Sequence, residues 1–405
     1  MILALTSLGL IIIPFYEVIF RLFPNVAVLA ADTRSHKEAM AVIVALVIGL
    51  LALYQGNLKP FRNKWLLLFI GFQVITINLM PKIPLVINNI DNSGFWVWKP
   101  IFQILCFLLM GITLASIEFD KKKIDRLFTI MCWSGSVMAV YVMLQSLGLD
   151  QFFIAKGESI IGKVEFANRV GVLGQPTLVS PFIAMIVPIA LYLRKYILAI
   201  IMIIGVALTC SQMAIGALVV GLLAYIFLIK PKSFFLVIPL TIITTIGLFL
   251  NKILVFRDNG RLGAWKIVLQ DILQTPISGH TGRDFSLFGH GMGSFSYLSS
   301  TVDASHFASA HNDYLQVFYS SGIIGLVLFI FALIYLLIKS CKNWRRYVDY
   351  KKTMTASLMC SFLIISICAF GTFVWHLGAH QFYTIVIVGL LSNETIGGWK
   401  CTDLS

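Results

Sequence analysis

The sequence predicts an all-α polytopic membrane protein with about 12 transmembrane helices. Three observations lead there. Hydrophobic residues make up 59% of the 405 and charged residues 12%, about half the charged share of an average soluble domain. Mean hydropathy is +0.90. Apolar stretches near the ~20 residues that cross a bilayer recur along the whole chain, beginning near residues 2, 39, 65, 98, 127, 172, 195, 211, 233, 313, 356 and 379.

Taken in order, these stretches alternate with connections whose Lys and Arg fall on every second one. The clusters are Lys59, Arg62 and Lys64; Lys121, Lys122, Lys123 and Arg126; Arg194 and Lys195; Lys230 and Lys232; and Lys339, Lys342, Arg345, Arg346, Lys351 and Lys352. Basic connections stay in the cytoplasm. An even number of spans with both termini cytoplasmic puts all of them inside, against anionic lipid. The net charge of +13 is then mostly a topology signal, with no nucleic-acid partner required.

The opening stretch, "MILALTSLGLIIIPFYEVIF", has no basic start and no small-residue cleavage site, so it reads as a retained span rather than a signal peptide. With no strict repeat and no low-complexity linker, residues 1–405 form a single transmembrane domain. No two of the seven cysteines stand at C-x-x-C spacing, and no structural disulfide is expected. Two polar or Gly-rich connections stand apart on the extracytoplasmic side: residues 149–171, and the larger loop 257–312 before the tenth span. Loops longer than ~15 residues are usually functional.

Within the larger loop, "GRLGAWKIVLQDILQTP" repeats Leu262, Trp265, Val268, Leu269 and Ile272 at helical steps, opens at Arg261 and stops at Thr275-Pro276. It predicts an amphipathic helix on the outer face with Trp265 at headgroup level. Gly289, Gly291 and Gly293 in "GHGMGSF" suit a tight turn; a phosphate cradle is the other reading, though the strand and acidic residue of a dinucleotide site are absent.

The loop ends in His311, Asn312 and Asp313, with Tyr314 opening the tenth span. Asn312 or Asp313 suits a helix cap. If the helix already includes His311, the 11-residue step to Gly322 puts both on nearly one face, with the glycine making room for a lipid tail or a neighbouring helix. At the positive end of a helix the charged imidazole is disfavoured, leaving a neutral ring able to take a proton. An interfacial histidine bonded to headgroups or loop backbone is the alternative. Arg169 and Arg261 lie on the outer side, where topology does not ask for them. Two guanidinium groups there fit a diphosphate, or separately pair with lipid phosphate, Asp271, Asp284 or Glu165. His280, His290 and His306 share the loop without metal-pair spacing; His376 and His380 stand four apart and read as interfacial anchors. Glu17 and Arg21, also four apart, suit an ion pair in the first span. No metal site is expected.

Three blocks resemble the O-antigen ligase superfamily, which includes O-antigen and capsule polymerases and O-oligosaccharyltransferases. They are "NRVGVLGQPT", with Arg169 followed four residues on by Leu173; the "GRLGAWKIVLQDILQTPISGHTGRDFSLFGHGMGSF" run; and "AHNDYLQVFYSSGIIG", where His311 and Gly322 fit a His-x10-Gly pattern. They cover residues 168–325, and the third is the most specific. One departure stands out: many relatives carry arginine after the serine of the block similar to "CSQMAIGALVV", where this chain has Gln212.

The resemblance implies a GT-C-type glycosyltransferase in the bacterial inner membrane, its active site facing the periplasm, with no cofactor and no metal ion. It implies an undecaprenyl-diphosphate-linked glycan as donor and a hydroxyl of lipid A core, glycan or protein as acceptor. Arg169 and Arg261 then grip the diphosphate and His311 is the base, with Asn312, Asp313, Tyr314, Trp265, Gly322 and Gln212 in supporting places. A ligase is the first expectation and a repeat-unit polymerase the second. A lipid-linked oligosaccharide flippase is the rival of another class, but a flippase needs charges in a cavity open to both faces, and here the candidates gather on one side.

Overall fold

A computed structural model of the chain describes residues 1–22, 33–56, 58, 63–78, 93–147, 149, 173, 175–235, 237–239, 261–274, 285–291 and 310–393. Among the described residues all regular structure is helical. The first five helices are α1 (Ile2–Leu22), α2 (Thr33–Tyr54), α3 (Lys64–Asn78), α4 (Ser93–Ser116) and α5 (Lys121–Ser146). Then follow α6 (Pro176–Ala184), α7 (Val187–Tyr192), α8 (Tyr196–Leu208) and α9 (Gln212–Ile229). The loop helices are α10 (Arg261–Gln274) and the single turn α11 (Phe285–Phe288). Last come α12 (Asp313–Arg346), α13 (Asp349–Cys368), a 3-10 turn (Val374–His376) and α14 (Gly378–Ser392).

These helices underlie eleven of the twelve apolar stretches. The stretch near 233 is helical where described, at 231–235 and 237–239. Among the described residues four helices, α5, α9, α12 and α13, are long and apolar enough to cross a membrane, and the chain is a polytopic membrane protein. Several helices begin earlier than hydropathy suggests because they take their basic residues with them. Asp120 caps α5, its carboxylate accepting from Lys123 N at 2.7 Å. That backbone bond, with the Lys123 side chain, holds its pKa below the usual carboxylate range. The stretch near 172 is α6 and α7 in series: Pro188, lacking an N–H to bond back one turn, follows the break at Met185 and Ile186.

Small residues set how closely the spans approach. A Cβ on Gly205 would stand 2.6 Å from Ala139 Cβ, so α8 lies directly on α5; one on Gly221 would stand 2.3 Å from Ile364, so α9 lies on α13. The bundle has two chemically distinct ends. At one, Lys121 bridges to Asp125 at 3.3 Å, Tyr192 donates to the same carboxylate at 2.8 Å and Lys195 to Thr129 at 3.2 Å, with Lys121 over the Tyr350 ring. The starts of α5 and α13 and the end of α7 therefore meet there, with their basic residues. At the other, the starts of α6, α12 and α14 meet the end of α13.

α12 is not one rod. Gly322, at φ 63 and ψ −169, interrupts it. The rings of Tyr314 and Phe329 lie 6.0 Å apart, whereas an unbroken helix would separate their Cα atoms by about 22 Å, farther than the two side chains reach. The chain therefore folds back at Gly322 into two arms, 313–321 and 323–346. This corrects the expectation that His311 and Gly322 share a helical face: Asn312 is the N-cap, and His311 precedes the helix at φ 48.

Candidate functional site

The site is built at the end of the bundle where α12 begins. Asn312, extended at φ −155, accepts from Leu315 N at 3.0 Å and so caps the first arm. Asp313 has a different duty. Its N–H donates to Ala369 O at 2.8 Å, and its fully buried carboxylate accepts from Trp375 N at 2.9 Å. This residue pins the arm to the turn between α13 and α14, with its negative charge favourably at a helix N-terminus. Tyr314 adds a bond to Ser366 O at 2.9 Å and a stack on Phe370 at 4.2 Å. The other face of that turn is fixed by Gln381, whose Nε2 donates to Trp375 O.

His311 follows from these constraints. Its left-handed backbone, tolerated by histidine better than by most residues, turns the half-buried imidazole onto Phe373, ring edge to face at 5.0 Å and 65°. A non-glycine residue in this region costs about 1–3 kcal/mol and persists where surrounding structure fixes it; here the Asn312 cap and the Asp313 pin do so.

α10 docks against the same segment. Trp265 Nε1 donates to Ala310 O at 2.8 Å, the carbonyl next to His311. Val268 and Ile272 bury against Ala310, Leu315 and Tyr319. The stripe buried against protein is thus Ala264, Val268 and Ile272, while Leu262 and Leu269 are exposed. Arg261, half-buried, heads this helix one turn before Trp265. Since one turn rises 5.4 Å, the Trp265 bond brings Arg261 to the His311 end of the bundle. Gln212, half-buried, starts α9 after the turn at Thr209–Ser211. Its neighbour Met213 packs where a Cβ on Gly371 would fall, 2.8 Å away, so α9 meets the α13–α14 turn as well.

Arg169 lies outside the described residues, as do His280, His306, Gly293, Asp284 and Glu165. The side chains of Glu17, Arg21, Asp271 and His376 are likewise outside them. His380 is corrected from an interfacial anchor to a core residue: it is 1% exposed, and its Nε2 donates to Leu178 O at 2.7 Å. No group of three metal-ligating side chains occurs among the described residues.

Sequence reasoning missed four residues that shape the site: Phe373 against the imidazole, Trp375 on Asp313, and the stacked pair His290 and Tyr319 at 4.4 Å and 9°. The first two stand some 60 residues beyond the start of α12 and carry no local signal. The pair sits at the Gly289–Gly291 turn, whose glycines read in the sequence as a tight turn or a phosphate cradle, with no sign of what the turn packs on. Gly322, expected to face a lipid tail or another span, instead faces that turn: a Cβ on it would stand 2.2 Å from Leu287 O.

Residues 197–330, a third of the chain, match the family described as O-antigen ligase. The match runs from α8 into the second arm of α12 and contains Gln212, Arg261, Trp265, the Gly289 turn, His311 and Gly322, while Arg169 precedes it. It supports a membrane enzyme of ligase or polymerase type. No curated protein matches the chain.

Proposed function

From the match of residues 197–330 to the family described as O-antigen ligase, we propose that the chain is a GT-C-type glycosyltransferase of the bacterial inner membrane, ligase-like in its reaction. It moves a glycan from undecaprenyl diphosphate to an acceptor hydroxyl on the periplasmic face. The observation that carries this reading is the bond from Trp265 Nε1 to Ala310 O, which joins the helix headed by Arg261 to the segment that presents His311.

The acceptor oxygen attacks the anomeric carbon as His311 takes its proton. The new glycosidic bond forms while the bond from that carbon to the diphosphate breaks, and the electron pair leaves with the lipid diphosphate. Arg261, with Arg169, offsets the charge that builds on the departing oxygens. One displacement inverts the anomeric centre. The diphosphate is already a good leaving group, so positioning and charge carry much of the barrier reduction, and the base adds roughly 10²- to 10⁴-fold.

The test is transfer by purified protein from a defined undecaprenyl-diphosphate glycan, read as the mass of the product. H311A is expected to lose roughly 10²- to 10⁴-fold in kcat, and R261A to weaken donor use. Near-normal turnover by H311A sinks the base assignment. In cells lacking the gene, surface glycan stripped to core with lipid-linked polymer accumulating supports the ligase; single-repeat products assign a polymerase instead.

A further inference from the structure

The turn Gly289–Gly291 closes on the apex of the folded α12 through two backbone hydrogen bonds and one ring stack. His290 N donates to Tyr319 O at 2.9 Å and Gly291 N to Ser320 O at 2.7 Å. In an unbroken helix those carbonyls would accept from Ile323 and Ile324, four residues on; at the fold they accept from the turn. The approach admits no side chain on either strand of the contact. A Cβ on Gly289, at φ 73, would stand 2.4 Å from Ser321 N, and one on Gly322 2.2 Å from Leu287 O. The His290 ring lies flat on Tyr319. Tyr319 in turn packs with Leu315, Ala310, Val268 and Ile272, the cluster from which Trp265 reaches the carbonyl beside His311.

We propose that Gly289, His290 and Gly291 form a clasp whose role in glycan transfer is to set the position of His311, with His290 the positioning residue. The argument is mechanical. The first arm is fixed at two places, the Asp313 pin at its start and the clasp on Tyr319 and Ser320 near its end. Releasing the apex leaves the arm, and the imidazole just ahead of it, held from one side only. In this role His290 acts through Tyr319, on which its ring stacks, and through the arm. This inference rests on the assignment of His311 as base.

The experiment compares H290A, H290F and H311A with the double variant H290A/H311A, in purified full-length protein with a defined undecaprenyl-diphosphate glycan. H290A is expected to lower kcat roughly 10- to 100-fold, the scale of an ångström-sized misplacement, with the donor KM unchanged. H290F keeps a flat ring on Tyr319 and is expected to stay within about threefold of the parent. In the H311A background, removing His290 is expected to cost nothing further, because the group it positions is gone. The same fold-loss in both backgrounds overturns the clasp as a device for His311. So does a raised donor KM with kcat intact, which makes the turn part of the donor site, and so does H290F as poor as H290A. Near-normal turnover in H311A alone removes the base itself, a separate failure visible before any His290 variant is measured.

Discussion

Replacing Gly322 with alanine tests the fold of α12 directly. Its φ of 63 and ψ of −169 fall in a region essentially closed to residues with a Cβ, at a cost of about 1–3 kcal/mol. The new methyl would meet Leu287 O at 2.2 Å and Phe288 N at 2.5 Å, both backbone atoms, so the turn has to withdraw. Withdrawal forfeits the two bonds to Tyr319 and Ser320, about 0.5–1.5 kcal/mol each. The sum is about 2–6 kcal/mol. Alanine's helix propensity returns up to ~1 kcal/mol, but only if the arm straightens. That would carry the His311 end, about 14 Å from the hinge, through a comparable distance and strip it from Phe373 and the Asp313 pin. Either outcome lowers both the unfolding midpoint in detergent and the transfer rate per folded molecule. The control is Gly263→Ala in α10, where nothing lies within 4 Å of the added Cβ and the change is expected to be neutral or stabilising by up to ~1 kcal/mol. If G322A matched G263A in both midpoint and turnover, the reasoning about the clasped hinge would be wrong.

Other substitutions separate support from chemistry. H380A leaves the Leu178 carbonyl buried without its donor, at about 1–3 kcal/mol; the unfolding midpoint should fall while transfer per folded molecule holds, and the reverse pattern would reassign the residue. D313A strands the Trp375 N–H in the same way, again about 1–3 kcal/mol, and because the pin holds His311 it should lower kcat too; D313N, which keeps an acceptor oxygen, should recover most of both. W265F keeps the packing of α10 but removes the donor to Ala310 O; weaker donor use with little change in the midpoint is expected from parallel kinetic and unfolding measurements. Asp120, whose pKa is depressed by the Lys123 bond, supports the start of α5 at neutral pH and loses that support as pH falls below the usual carboxylate range. Amide protection factors at the first turn of α5, which correct for the slower intrinsic exchange in acid, should therefore fall on acidification, and D120N should flatten the response.

Which parts of this fold could be read from residues alone depends on how far apart the partners stand. The spans are local properties, since about 20 apolar residues solve the backbone hydrogen-bonding problem within one segment, and all but one of the stretches land on described helices. The Asn312 cap is local too, three residues from Leu315 N. The fold at Gly322 is not. A glycine in an apolar run is common in membrane helices, and what makes this one a hinge is a turn more than 30 residues earlier in the chain that occupies its missing side chain's place. Asp313 read as a second candidate cap because its true partner, Trp375 N, is 62 residues away. His380 looked interfacial by its nearness to a polar turn, while its carbonyl partner belongs to α6, 202 residues back. Helical periodicity located α10, but the period does not say which apolar residues face the protein: Ala264, Val268 and Ile272 do, and Leu262 and Leu269 stay exposed.

The same distinction decides which member of the polar trio can act on a substrate. A general base has to come within about 2.6–3.2 Å of the hydroxyl it deprotonates. Asp313 is a stronger candidate than histidine by charge, yet its carboxylate has no exposed surface and accepts a backbone N–H from the α13–α14 turn. Reaching a sugar would mean unpinning the arm, at about 1–3 kcal/mol for the stranded donor alone. Asn312 has its carbonyl oxygen on Leu315 N, and a carboxamide takes no proton near neutral pH. His311 stands outside the helix, partly open, with its ring orientation set by Phe373. The three adjacent polar residues thus divide into a cap, a pin and the group they present, and it is the imidazole to which the catalytic role proposed for this stretch belongs.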